Sequence, residues 1–448
     1  MKCKFTSKEF FPYQTDLILK IKNSKKRIIG LNLPTGTGKT LIAINSIDPP
    51  FYYLCHSKVL QRQLYNETKF PYLVGKRNYP ETQLWLRDYN KIKNSDYAIL
   101  NYHVYFYHHF PKRNLICDEA DILEELLDDY FGIDLYLFEY EQKHKIRIKR
   151  PTSLTDTDIG IQFISNLFKR TADTYNQQKL RRLLLNEDLF YFYYPPEDRF
   201  ILRPFRYSPK ALELYFLKGS PKVLLMSATL PPKQYLEEFF QQEVDYFEED
   251  PHLEGQKYFF HFPCCVSLKG KELDENEIIK AADYLMREVF PRHRGRILIH
   301  TVNYDLQNKL KECLLGYVRP FLFVNGNRPA WEYIEDFKLT PSAVLFSPYF
   351  YRGLDLKGEL CEAVVWVKPP YIDLSDPFVL KKKESSHMWY VLSAIVKTIQ
   401  GAGRGVRGIE DTCHVYFLAK EFDILFNHLD LLPKWFKNKL VEGEYALY

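Results

Sequence analysis

Residues 33–40 read LPTGTGKT and residues 118–121 read DEAD. The first is a Gly-rich turn ending in Lys-Thr, set between a strand-like RIIGLNL and an apolar LIAI. In that order, backbone N–H groups and a helix N-terminus can surround phosphate oxygens. Gly36 and Gly38 allow the tight turn, and Thr35 and Thr37 belong to the same ATP-binding loop. Lys39 is placed to reach β- and γ-phosphates, and Thr40 to ligate Mg²⁺. The DEAD segment ends the apolar run NLIC, so two carboxylates stand at a strand tip. Asp118 would hold the metal and Glu119 would orient and deprotonate an attacking water. The plainer reading of DEAD is an acidic helix start favoured by the helix dipole. Gln14, in FPYQ upstream, stands where a glutamine can read an adenine edge, although a single Gln has many structural uses. Together these residues point to ATP and Mg²⁺.

Such residues need strands to bring their tips together. Between residues 27 and 118, short apolar runs (RIIGLNL, FYYLC, YAILNY, NLICDEAD) alternate with amphipathic segments, which predicts a parallel α/β sheet. From 122 to 204 the texture becomes charge-rich and helical, as in IQFISNLFKR, and reads as a mostly helical insertion. KVLLMSATL resumes the strands, and the first domain (1–121 with 205–245) closes near residue 245. A second alternating series, GRILIHT, RPFLFVNG, SAVLFSP, AVVWVKP and HVYFLA, predicts another α/β domain over 246–448.

Composition narrows the class. The 448 residues are 46% hydrophobic, enough for several cores, and 62 Lys and Arg against 57 Asp and Glu leave a mild +5. A polyanion partner must therefore be met by a local groove. Eight scattered cysteines without a CxxC suit a reducing compartment better than a disulfide framework. There is no signal-peptide pattern and no run of about 20 apolar residues, so the expectation is a soluble intracellular protein away from membranes. The aromatic run NYHVYFYHHF (101–110) overlaps an expected buried strand and reads mostly as core. KHKIRIKRP (143–151) alternates charge with Ile in a strand-like way, as a channel lining or a solvated face.

Taken in order, the motifs resemble those of superfamily 2 helicases, and more narrowly the XPD/DinG group. LPTGTGKT resembles motif I, LCHSKVLQRQL (54–64) motif Ia, and DEAD motif II, with Asp121 where the group usually has His. SAT (227–229) resembles motif III, GRILIHTVNY motif IV, and FSPYFYRGLDLKG motif V. KPPYIDLSDP (368–377) followed by IQGAGRGVRGIED (399–411) resembles the proline-rich strand exit and motif VI. The resemblance implies two RecA-like domains hydrolysing ATP between them while moving on single-stranded or tailed duplex DNA, with 5′→3′ polarity. Gln400, Arg404 and Arg407 would share one face if the helix ending WYVLSAIVKTIQGAGR runs on through its glycines, and the arginines would reach the γ-phosphate. The resemblance also assigns Gly353 and Asp355 to the nucleotide, Ser227 and Thr229 to coupling, and His56, Ser57, Lys58, Thr301 and Asn303 to the nucleic-acid path.

The segment 65–95 contains no cysteine, so the iron–sulfur cluster that many members of the group carry there is not expected. The compact length and divergent motifs fit a viral or mobile-element origin. Three alternatives stay open: a 3′→5′ superfamily 2 or annealing motor, an ATP-gated clamp that does not unwind, and RNA in place of DNA.

Overall fold

The computed structural model describes residues 10–150, 157–186, 189–193, 198–251, 257–270, 273–351, 356, 360–405 and 412–442. Arg407, Gly353 and Asp355 lie outside the described residues. The chain divides into two compact units. Unit 1 comprises Met1–Asn32, Gly38–Phe247 and Asp373–Trp389; unit 2 comprises Leu33–Thr37, Glu248–Ile372 and Tyr390–Tyr448. No helix among the described residues is long and apolar enough to cross a membrane.

Unit 1 is built on β1 (Ile28–Asn32), β2 (Phe51–Cys55), β3 (Tyr72–Leu73), β4 (Tyr97–Asn101), β5 (Asn114–Asp118), β9 (Val223–Ser227) and β10 (Val244–Glu248). They form one seven-stranded sheet in the order β10-β1-β9-β5-β2-β4-β3. The pairings from β1 through β9, β5, β2 and β4 to β3 are parallel. IIGLN, FYYLC and VLLMS are buried along their whole length, as strands covered on both faces must be. Because all six run the same way, the last residues of β5 and β9 meet at one edge, with Asp118 in register with Met226.

The insertion is mostly helical, as expected, and adds a small sheet that the sequence reading did not include. It carries helices Leu137–His144, Thr157–Arg170 and Thr174–Leu183, but also an antiparallel sheet in the order β6-β8-β7. Its strands are β6 (Ile133–Tyr136), β7 (Phe190–Tyr193) and β8 (Arg199–Pro204), and Leu137, Ile164, Phe168 and Phe200 centre its own core. The stretch 143–150 leaves the first of these helices without forming a strand: Ile148 is buried, and Arg150 is clamped between Glu141 and Asp198. In 101–110 the chain turns helical over Tyr102–Tyr107 because Asn101 caps it, accepting from the N–H groups of His103 and Val104. Tyr102, Tyr105 and Phe106 are core, as expected, but on a helix and not a strand.

Residues 373–389 come late in the sequence yet complete unit 1. Lys382, 2% exposed, places Nζ 2.7 Å from Glu124 and 2.9 Å from Asp128, on the helix Leu123–Phe131 that follows DEAD. Tyr235 donates to Glu124 and Tyr207 to Asp128, and the Trp389 ring lies 4.8 Å from the ammonium. Burial alone would lower the Lys382 pKa; the two carboxylates outweigh it and hold the value above the usual lysine range.

Unit 2 holds β11 (Lys257–His261), β12 (Ile297–His300), β13 (Phe321–Phe323), β14 (Val344–Ser347), β15 (Ala363–Trp366) and β16 (Thr412–Phe417). The sheet is parallel in the order β11-β16-β15-β12-β14-β13.

Candidate nucleotide site and its coupling residues

The loop after β1 turns on two left-handed glycines, Gly36 at φ 85° and Gly38 at φ 79°. At Gly38 a Cβ would also stand 2.6 Å from Gln14 Nε2, so the position needs glycine for its backbone and for the close approach. Thr37 is buried and ties the turn by donating to the Pro34 carbonyl at 2.8 Å. Gln14 caps its own helix, accepting from Phe11 N–H at 3.0 Å, and its amide faces the loop. Lys39 and Thr40 open the helix Lys39–Ser46, whose N-terminus faces the turn.

A tyrosine that the motif pattern did not single out links this helix to the DEAD segment. The Tyr53 hydroxyl stands 3.3 Å from Thr40 Oγ1 and donates to Asp118 Oδ2 at 2.9 Å. Asp118 Oδ1 accepts from Glu119 N–H at 2.9 Å, and Tyr102 donates to the Asp118 carbonyl at 2.8 Å. Burial raises the Asp118 pKa, opposed by the Tyr53 hydrogen bond and the Lys39 charge. Both tyrosines sit in FYYLC and YAILNY, where a hydroxyl on an apolar strand reads as core; only strand pairing reveals that they meet the acid. Glu119 differs from its neighbour. It is exposed and held at φ 52°, a left-handed conformation that costs a non-glycine residue about 1–3 kcal/mol. Asp118 is thus fixed beside hydroxyls while Glu119 faces solvent.

The oxygen set of Thr40 and Asp118, gathered about one hydroxyl, matches the preference of a hard divalent cation for oxygen ligands. Ser227 Oγ donates to Asp121 Oδ1, and Thr229 N–H donates to Ser227 Oγ at 3.1 Å. The SAT hydroxyls therefore bear directly on the last residue of DEAD, and Asp121 fills the usual His position as an acceptor.

The residues assigned to the strand path divide. His56 and Lys58 are exposed beyond β2, whereas Ser57 caps the helix Lys58–Thr68 by accepting from Leu60 N–H at 3.2 Å. In unit 2, Thr301 is fully buried and Asn303 caps the helix Tyr304–Cys313, accepting from Leu306 N–H at 2.8 Å.

The helix expected to carry Gln400 and Arg404 on one face ends too early to hold both, and Arg407 lies outside the described residues. The helix His387–Ala402 stops before Gly403, so Gln400 lies in its last turn and Arg404 lies beyond it. Gly401 explains the local packing: a Cβ there would fall 2.3 Å from the Trp366 ring and 2.9 Å from His300 Nε2. Arg404 is 8% exposed and donates from Nε to the Tyr351 carbonyl at 2.7 Å. His300 stacks on Trp366 at 4.1 Å, and burial with the Arg404 charge pushes its pKa down to about 3.

Comparison with known proteins agrees with the motif order. Residues 286–439 match the family described as helicase C-terminal domain, and residues 7–183 match the type III restriction enzyme, res subunit. The ATP-dependent DNA helicase XPD of Sulfolobus acidocaldarius is 23% identical over 283 residues, 57% of this chain and 50% of the relative. The probable ATP-dependent helicase YpvA of Bacillus subtilis is 25% identical over 137 residues, 30% of this chain and 21% of the relative. The chain thus spans half or less of the length of these relatives. Its fold is similar to an apo XPD structure, with a TM-score of 0.69 and 17% identity over 98% of this chain and 100% of that one. On the ordered motifs and these matches, the chain is similar to XPD-like helicases of superfamily 2.

Proposed function

We propose that this protein hydrolyses ATP to move along single-stranded DNA and separate strands in the 5′→3′ direction. The observation that carries the proposal is the hydrogen-bonded line from Thr40 through Tyr53 to Asp118, continued by the contact of Ser227 with Asp121. In this reading the loop from Thr35 to Thr40 binds the triphosphate, with Lys39 on its outer phosphates. Magnesium, held by Thr40 and Asp118, supplies charge neutralisation of the phosphates when bound. Exposed Glu119 accepts the proton of the attacking water. Ser227 and Thr229 relay the state of the DEAD carboxylates, Gln400, Arg404 and Arg407 act on the γ-phosphate, and Gly353 and Asp355 contact the nucleotide. His56, Ser57, Lys58, Thr301 and Asn303 follow the strand. The domain plan is two motor domains, 1–121 with 205–245 and 246–448, around an insertion at 122–204, working without an iron–sulfur cluster.

The test is strand displacement with ATP and Mg²⁺ on duplexes bearing only a 5′ or only a 3′ tail. Unwinding of the 5′-tailed duplex alone is expected. Preference for the 3′ tail would replace the polarity, and ATP turnover without displacement would leave a clamp.

A further inference from the structure

Unit 1 has a second polar concavity, on the opposite edge of its sheet from Asp118 and the phosphate loop. The segment 108–113 runs directly into the start of β5, and 218–222 into the start of β9. Both strands are parallel, so these two loops stand together at the amino edge. With the helix Thr174–Leu183 of the insertion they enclose a cavity of about 690 Å³, within the roughly 300–1,000 Å³ of small-ligand sites.

Its lining combines cations with ring faces. Lys112, Arg181, Arg182 and Lys218 line it beside Tyr107 and Phe110. Arg182 is 6% exposed; its guanidinium lies 4.2 Å from the Tyr130 ring centre, and Nη2 donates to the Tyr130 carbonyl at 3.3 Å. Its buried Nε has no hydrogen-bond partner among the described residues. Lys218 has no carboxylate partner there either: its ammonium is held by the carbonyls of Tyr105, Phe106 and His108. Glu213, the one acid in the lining, is already neutralised, with both oxygens on Arg27 at 2.7 and 3.0 Å. Tyr107 stacks against Tyr175 to extend the aromatic wall.

A stable fold has little use for this concentration of positive charge around a buried guanidinium whose Nε lacks an acceptor. A phosphodiester supplies the missing acceptors, and a base extends the aromatic wall of Tyr107 and Tyr175. An acidic peptide would use the cations and leave the ring faces idle.

We propose that the pocket enclosed by 107–112, Arg181, Arg182 and Lys218 is a second binding site for single-stranded nucleic acid, holding a phosphate and adjoining base remote from the nucleotide site. The inference rests on the proposed action on single strands.

Lys112 and Arg181 are both exposed, so changing them spares the core. The experiment compares wild type with the double variant Lys112→Ser, Arg181→Ser in binding long and short oligothymidylate across a salt series, with thermal unfolding as a control for folding. Loss of the pocket's phosphate contact should flatten the log–log salt dependence by about 0.7 for the long strand. Long-strand affinity should fall about tenfold at low salt, as expected when two charged contacts go. An iodouracil-bearing strand should cross-link to the peptides holding Tyr107 or Phe110. Unchanged salt dependence, or cross-links that avoid these peptides, would overturn the pocket while leaving the proposed motor intact. A wild-type protein that binds no strand at any salt would overturn both.

Discussion

The carboxyl edges of the two parallel sheets carry opposite chemistry. In unit 1, β5 ends in Asp118 and β9 in Ser227, with Tyr53 and Thr40 close by. In unit 2, β12 ends in His300 and β15 in Trp366, stacked on each other, with the Arg404 charge acting on the imidazole. A parallel sheet delivers the last residue of every strand to one edge, whatever its charge. Here one sheet collects acids and hydroxyls, the oxygen donors that a hard cation prefers, and the other collects rings and a guanidinium. The scaffold is common to both, so the division of labour is written in a few terminal residues.

The largest effect should come from the acidic edge. Lys39→Ala or Glu119→Gln should abolish nucleic-acid-stimulated ATP turnover, with circular dichroism unchanged; normal turnover in either would dissolve the contrast between the edges. Arg404→Ala should lower turnover by about 10³ if it serves as the arginine finger of the other edge. ATP binding, followed by a fluorescent analogue, should persist, while weakened binding with preserved turnover would make Arg404 a packing residue. A smaller change is expected for Tyr53→Phe. Removing one hydrogen bond to a charged group, about 1.5 kcal/mol, should cut turnover about tenfold, and a Mg²⁺ titration should show a higher requirement for the metal.

Acid should separate the units. His261 and His414 stand 2.9 Å apart, and burial, His293 and Arg292 push both down to about 4; His414 adds to this at His261, and Glu362 opposes it at His414. With His300 at about 3, three imidazoles stay neutral in the fold but take up protons when unfolded. Stability of unit 2 is therefore full above the ordinary imidazole value and is lost as pH falls from about 6.5 toward 4. Asp118 has the opposite sign. Its raised value favours the fold at low pH, and that contribution is lost as pH rises through its folded pKa. Hydrogen exchange in mild acid should open β12, β15 and β16 before β1, β5 and β9. The mildest consequence for catalysis is expected from Lys382→Met, which leaves two acids without their cation. It should cost about 3–5 kcal/mol in urea unfolding while leaving the phosphate loop intact.

Much of this was legible in sequence because phosphate binding needs glycine and lysine at fixed spacing, and because buried parallel strands are apolar runs. The alternation in 27–118 and after residue 295 identified strands found in both sheets. What escaped were properties that arise only on pairing. Tyr53 is an ordinary strand tyrosine until β2 lies beside β5. The insertion is mostly helical, as read, but its three short strands escaped, and IRIKR suggested a strand where an Arg150 clamp stands. The reading of a helix through the glycines missed that Gly401 packs against Trp366 and that the helix ends at Ala402, before Arg404.

The anchor at Lys382 has a consequence for how the chain is made. Asp128 and the lysine that neutralises it are separated by 254 positions. During synthesis from the N-terminus, Glu124, Asp128, Tyr207 and Tyr235 all emerge before their cation, and β11 through β15 of unit 2 are made in between. Unit 1 therefore cannot be finished in the order in which it is written. Its last brace arrives only after most strands of the other sheet have been made, so an interrupted chain leaves the DEAD helix without its cation.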